Sequence, residues 1–120
     1  MPIDESRMMT TPILDTSVLD QLREIEPGFI KDLVTTFLAD APQRLQGLGA
    51  AVAGRECRAI ALEAHGLKGS ALGIGATRMA LVCQAVESAA RAGSLDEAVA
   101  CYTRLDEELR TAAQALQDIV

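Results

Sequence analysis

The sequence has no tryptophan, one tyrosine and two phenylalanines among its 120 residues, although 49 % of them are hydrophobic. Aliphatic side chains must therefore fill whatever core the chain builds. Runs of β-branched residues are few, whereas Ala, Leu, Glu, Gln and Arg are frequent, which is the composition of an all-helical protein. The residues that build metal sites are scarce too. There is one histidine, His65, and three widely separated cysteines, Cys57, Cys83 and Cys101. With no C-x-x-C pair and no second histidine, zinc ligation is not expected. The cysteines sit inside apolar helical patterns and read as small buried hydrophobes of a reducing compartment.

Other absences narrow the function. No apolar run reaches transmembrane length. The N-terminal Met1-Pro2-Ile3-Asp4-Glu5-Ser6-Arg7 lacks the basic and apolar regions of a signal peptide. A cytoplasmic protein with no membrane insertion is expected. Net charge is −6 and no Lys/Arg cluster tracks a phosphate backbone, so nucleic-acid binding is not expected. The acidic balance reads as a solubility feature of a monomer, with Lys68, Arg58 and Arg78 giving a locally basic spot.

The length suits one domain with one core. Residues 1–13 show no periodicity and hold two of the four prolines, so they read as a mobile tail. Residues 14–120 form the domain. Leu14 to Ile25 predicts a short helix opened by Asp15 or Thr16. From about Pro27 to Leu48, apolar residues recur every three or four positions, with a kink or break near Asp40-Ala41 ahead of Pro42 and a turn between Gly47 and Arg55. A third helix covers about Glu56 to Ile74, ended by Gly73 and Gly75. A fourth covers about Thr77 to Ala92 and stops at Gly93. Ser94-Leu95-Asp96-Glu97 has the capping-box pattern and opens a fifth helix reaching Ile119. These elements predict an antiparallel four-helix bundle with a short additional N-terminal helix across one end.

Ala64-His65-Gly66-Leu67-Lys68-Gly69-Ser70-Ala71 stands out within the third helix. A glycine in a helix interior costs roughly 1 kcal/mol relative to alanine, and here two accompany the sole imidazole. Cys57, Ile60, Ala64, Leu67, Ala71 and Ile74 form a core stripe, and at about 100° per residue His65 lies roughly 130° from its centre, facing solvent. Lys68 is one turn along and can reach the same space. Gly69 lies beyond the ring and Gly66 on its far flank, keeping the helix surface open. Leu62 and Leu72 project away from the stripe beside the histidine, as in a docking patch.

An exposed histidine with a lysine at helical spacing is, taken alone, an ordinary solvated pair. The glycines and leucines set this one apart. A Ser-His hydrolase is not expected, because Ser70 lies roughly 140° around the helix from His65. Gly73-Ile74-Gly75-Ala76 follows a helix rather than a strand and lacks the third glycine of a nucleotide loop. What remains is an imidazole able to be neutral at cellular pH, hence nucleophilic toward phosphorus, beside a cation that offsets phosphoryl charge.

His65-Gly66-Leu67-Lys68-Gly69-Ser70-Ala71 followed by Gly75-Ala76 resembles the signature of histidine-containing phosphotransfer domains, and Val86-Glu87-Ala90-Arg91 resembles a later segment of that family. The resemblance runs from about Leu14 to Leu116. It implies a phosphocarrier rather than an enzyme. His65 would take a phosphoryl group from a receiver-domain aspartate and pass it to another receiver in a two-component phosphorelay. Lys68 would stabilise the phosphohistidine, Gly69 would give steric clearance, and Ser70 would position the phosphate or the lysine. Ala61, Leu62, Gly66, Leu72 and Gly75 would form the docking surface. Response-regulator receivers and a hybrid sensor histidine kinase would be the partners, with Mg²⁺ bound by the receiver and no cofactor on this chain. The alternative is a helical interaction module that docks such domains without ever being phosphorylated.

Overall fold

The computed structural model describes residues 3–120, and among them seven helices and no strand: α1 Glu5–Thr10, α2 Thr16–Ile25, α3 Phe29–Ala53, α4 Cys57–Gly73, α5 Thr77–Arg91, α6 Leu95–Tyr102 and α7 Leu105–Ile119. α4 and α5 pack most closely. α3 flanks α4, and α7 touches both α3 and α5, which closes the bundle. The predicted stripe of α4 is the core stripe: Ile60, Ala64, Leu67 and Ala71 are fully buried. They meet Val82, Cys83 and Val86 of α5, also fully buried. Each large aliphatic side chain removed from water in this way contributes about 1.5–3 kcal/mol. No helix among the described residues is long and apolar enough to cross a membrane.

α2 opens where Asp15 accepts from Ser17 N at 3.0 Å. Its first residues sit on the turn between α4 and α5, held by Asp15 N donating to Gly75 O at 2.7 Å. That turn is a left-handed helix end. Gly75 has φ +79, Ala76 N donates to Ala71 O and Gly75 N to Leu72 O, which satisfies carbonyls that the helix end leaves without partners.

Four expectations need correction. The leader is not a loose tail over its described part; Met1 and Pro2 lie outside the described residues. Asp4 caps α1, Met8 is buried, Glu5 pairs with Arg104, and Thr77 Oγ1 donates to Pro12 O at 2.8 Å. A short segment without visible periodicity folds here because one methionine finds a core and polar contacts hold both ends. α3 does not break at Pro42 but runs on to Ala53, since Phe37, Ala41 and Leu48 are buried on both sides of the proline. The predicted fifth helix divides into α6 and α7 at Thr103-Arg104. Thr103 Oγ1 donates to Ala100 O at 2.7 Å, a local bond that competes with helix continuation. Finally, Ser94 begins α6 without a side-chain capping bond.

Candidate phosphotransfer site

His65 sits midway along α4, and its side chain is 61 % exposed, as the helical geometry predicts. Its Nδ1 lies 3.1 Å from Glu87 Oε2, a carboxylate supplied by α5. Glu87 is the residue on which the site converges. Its side chain is 6 % exposed and stands 2.9 Å from the Lys68 ammonium through Oε1. Arg91, one turn along α5, donates to Oε2 from Nε at 2.9 Å, and its NH2 group lies 2.8 Å from the same oxygen. Glu87 follows Cys83 by one turn and Val86 by one residue, so the periodicity that buries those two turns the carboxylate inward as well.

Burial pushes the Glu87 carboxyl up, yet Lys68, Arg91 and His65 together hold it down at about 2. It is therefore ionised at neutral pH and can only accept. The bond to His65 must then be Nδ1–H donating to Oε2. In the neutral ring that leaves the lone pair on Nε2, the nitrogen not engaged by Glu87. The surrounding charge is uneven. One carboxylate faces two permanent cations, Lys68 and Arg91, so the pocket behind the imidazole is net positive. Burial pushes the nearby Cys83 thiol up to about 12, so it stays protonated and apolar.

Lys68 is only 19 % exposed and bridges to α5 twice, to Glu87 and to Gln84 Oε1 at 2.8 Å. Gly69 is exposed, and a Cβ built there would meet nothing within 4 Å. Ser70 turns away: its hydroxyl donates back to Gly66 O at 3.4 Å. It makes no hydrogen bond to His65 or Lys68 among the described residues. With Gly69, Leu33, Phe37 and Asp40 it lines a groove of about 190 Å³ between α3 and α4.

The expected docking surface divides. Leu62 and Leu72 are exposed on α4, at 64 % and 52 %. Gly66 is half-buried and turned toward Arg44 of α3. Ala61 is almost fully buried where α4 meets α5 and lines a groove beside Leu62, whereas Gly75 is buried against Asp15 and does not belong to that surface. The basic spot is also composed differently. Arg78 Nε is committed to Glu108 at 2.7 Å, tying α5 to α7, whereas Arg91 joins Arg58 and Leu62 along a groove.

The model of the Hpt domain family matches residues 32–118. The chain belongs to this family. The Hpt fold is also seen in solved structures similar to it. Histidine-containing phosphotransfer protein B from Pseudomonas aeruginosa is 30 % identical, with a TM-score of 0.84 over 91 % of this chain and 95 % of the other. The phosphotransfer protein MtHPt2 of Medicago truncatula is 26 % identical, with a TM-score of 0.75 over 95 % of this chain and 83 % of that one. Maize ZmHP2, at 24 % identity, has a TM-score of 0.76 over 95 % and 89 % and supports the fold alone. No curated protein matches. The role of this Hpt domain is histidine phosphotransfer in a phosphorelay, and its family implies response-regulator receivers as partners. Hpt carriers are in general not enzymes themselves.

Glu87, Gln84 and Arg91 were not among the residues expected at the site. A carboxylate among the inward positions of α5, one turn before an arginine, is the signal that could have found the first and third. Gln84 is an exposed polar residue on a polar helix face, and nothing in the sequence marks it.

Proposed function

We propose that His65 is the phosphorylated residue and that Glu87 makes it competent. The observation that carries this reading is the 3.1 Å contact between Nδ1 and an ionised, buried carboxylate. With its proton held on Nδ1, the ring offers the Nε2 lone pair to the phosphorus of a receiver aspartyl phosphate. The N–P bond forms as the acyl O–P bond breaks, and the aspartate carboxylate leaves with the bonding electrons. The ring keeps its Nδ1 proton and becomes positively charged, next to Glu87. The phosphoryl group is dianionic, and Lys68 and Arg91 supply the balancing charge from behind. Such transfers depend mainly on positioning and electrostatics, with little covalent work for the protein.

The reverse step, to a second receiver aspartate, uses the same groups in the opposite order. The acid cluster and Mg²⁺ belong to the receivers in this reading. Gly69 admits the receiver's active-site loop, and Leu62 and Leu72 meet its apolar face. The chain acts as a cytoplasmic monomer, charged by the receiver of a hybrid sensor kinase and discharged by a response regulator. In a test with a labelled phosphoreceiver, the wild-type chain takes label. His65→Gln takes none while its circular dichroism stays that of the helical bundle. Label retained by that variant contradicts the assignment.

A further inference from the structure

Lys68 is not free to serve a phosphoryl group as it stands. Its ammonium has three N–H donors. One meets Gln84 Oε1 at 2.8 Å, and the charge rests against Glu87 Oε1 at 2.9 Å. Both acceptors come from α5. Gln84 is itself fixed, because its Nε2 donates to Ser88 Oγ at 2.8 Å, one turn along the same face. That bond orients the amide with its oxygen toward the lysine. A phosphoryl group on Nε2 of His65 would draw the ammonium away from α5. The contact with Glu87 is between buried opposite charges. The contact with Gln84 is between a charge and an exposed neutral amide. Of the two, the amide bond is the one that gives way at least cost.

We infer that Gln84, oriented by Ser88, is a positioning residue that competes with the phosphoryl group for the Lys68 ammonium and so sets how long phosphohistidine lasts. This inference rests on the phosphotransfer role of His65 proposed above. It predicts opposite effects from two variants at an exposed position that should leave the fold intact. Gln84→Ala releases the ammonium to the phosphoryl group, so the phosphorylated form should decay more slowly, by about two- to tenfold, the range of a single hydrogen bond. Gln84→Glu holds the ammonium with a full charge and should shorten the lifetime by at least as much. Ser88→Ala should follow Gln84→Ala at smaller amplitude.

The experiment charges each variant from a labelled receiver, removes the receiver, and follows loss of label from the histidine. The same variants are then made in a Lys68→Ala background, where Gln84 has nothing left to hold and both effects should vanish. Equal lifetimes for wild type, Gln84→Ala and Gln84→Glu overturn the inference while leaving the role of His65 intact. An effect that persists without Lys68 also overturns it, because Gln84 would then act on the phosphoryl group directly. Failure of the wild-type chain to take label overturns the role of His65 and this inference together.

Discussion

Glu87 stands 22 residues after His65 in the sequence and 3.1 Å from its Nδ1 in the fold. α4 and α5 run side by side, and their closest packing brings the two residues together. The imidazole is exposed and the carboxylate is not, so one end of this pair meets partners while the other is governed by the bundle.

Its cationic partners, outweighing that burial, make Glu87 a pH-dependent contributor to stability. Its folded-state pKa is held at about 2, below the ordinary value of 4.5. The stabilisation is therefore fully present above pH ~4.5 and is lost as pH falls toward 2, amounting to on the order of 3 kcal/mol. Glu87→Gln should be less stable than wild type at neutral pH. The difference in melting temperature between the two should close as the pH drops from 5 to about 2. A difference that stays constant over that range would show that the ion contacts of Glu87 contribute nothing to stability.

Gly69 occupies open surface beside the ring. Gly69→Gln should raise stability by about 0.5–1 kcal/mol through helix propensity and yet reduce transfer from a receiver by tenfold or more. Denaturant melts and a transfer time course measure the two effects on one protein. Undiminished transfer in the stabilised variant would remove steric clearance as the reason for a glycine there.

Gly75 serves the fold. At φ +79 its added Cβ would lie 2.6 Å from Asp15 O, a backbone atom that cannot swing aside. Gly75→Ala should destabilise the bundle by about 2 kcal/mol or more, above the roughly 1 kcal/mol expected of left-handed strain alone. Gly93→Ala supplies the comparison, since Gly93 has φ +76 with open space around it. Equal melting temperatures for the two variants would contradict the crowding at Asp15.

Much of this fold is legible in the sequence because α3, α4 and α5 each carry a sustained three-and-four stripe. His65 could be placed on the solvent side by counting 100° steps, and its 61 % exposure agrees. What could not be read arises between elements. Met8 and Met9 stand alike in the sequence until α1 meets the bundle and buries Met8 alone. Thr103 ends a helix through its own hydroxyl, a local competition that periodicity does not record. Ala61 lies on the buried flank of the stripe, and only the packing of α5 makes it part of the groove that Leu62 and Arg91 also line. Glu87 was visible as part of a family-like segment. Its bonds to residues 19 and 22 positions earlier depend on how α4 and α5 register, and no helical wheel of either helix contains that. The same holds for Gln84 and Lys68.

The central claim is that Glu87 keeps the proton on Nδ1 of His65 and so directs the phosphoryl group to Nε2. His65 is the only histidine, so long-range ¹H–¹⁵N correlation of the imidazole, recorded before and after charging by a receiver, reads the claim from a single ring. The account predicts an Nδ1–H tautomer in the neutral resting protein and phosphorus attached to Nε2 afterwards, with the tautomer preference weakened in Glu87→Ala. A resting Nε2–H tautomer, or phosphorus on Nδ1, would contradict it.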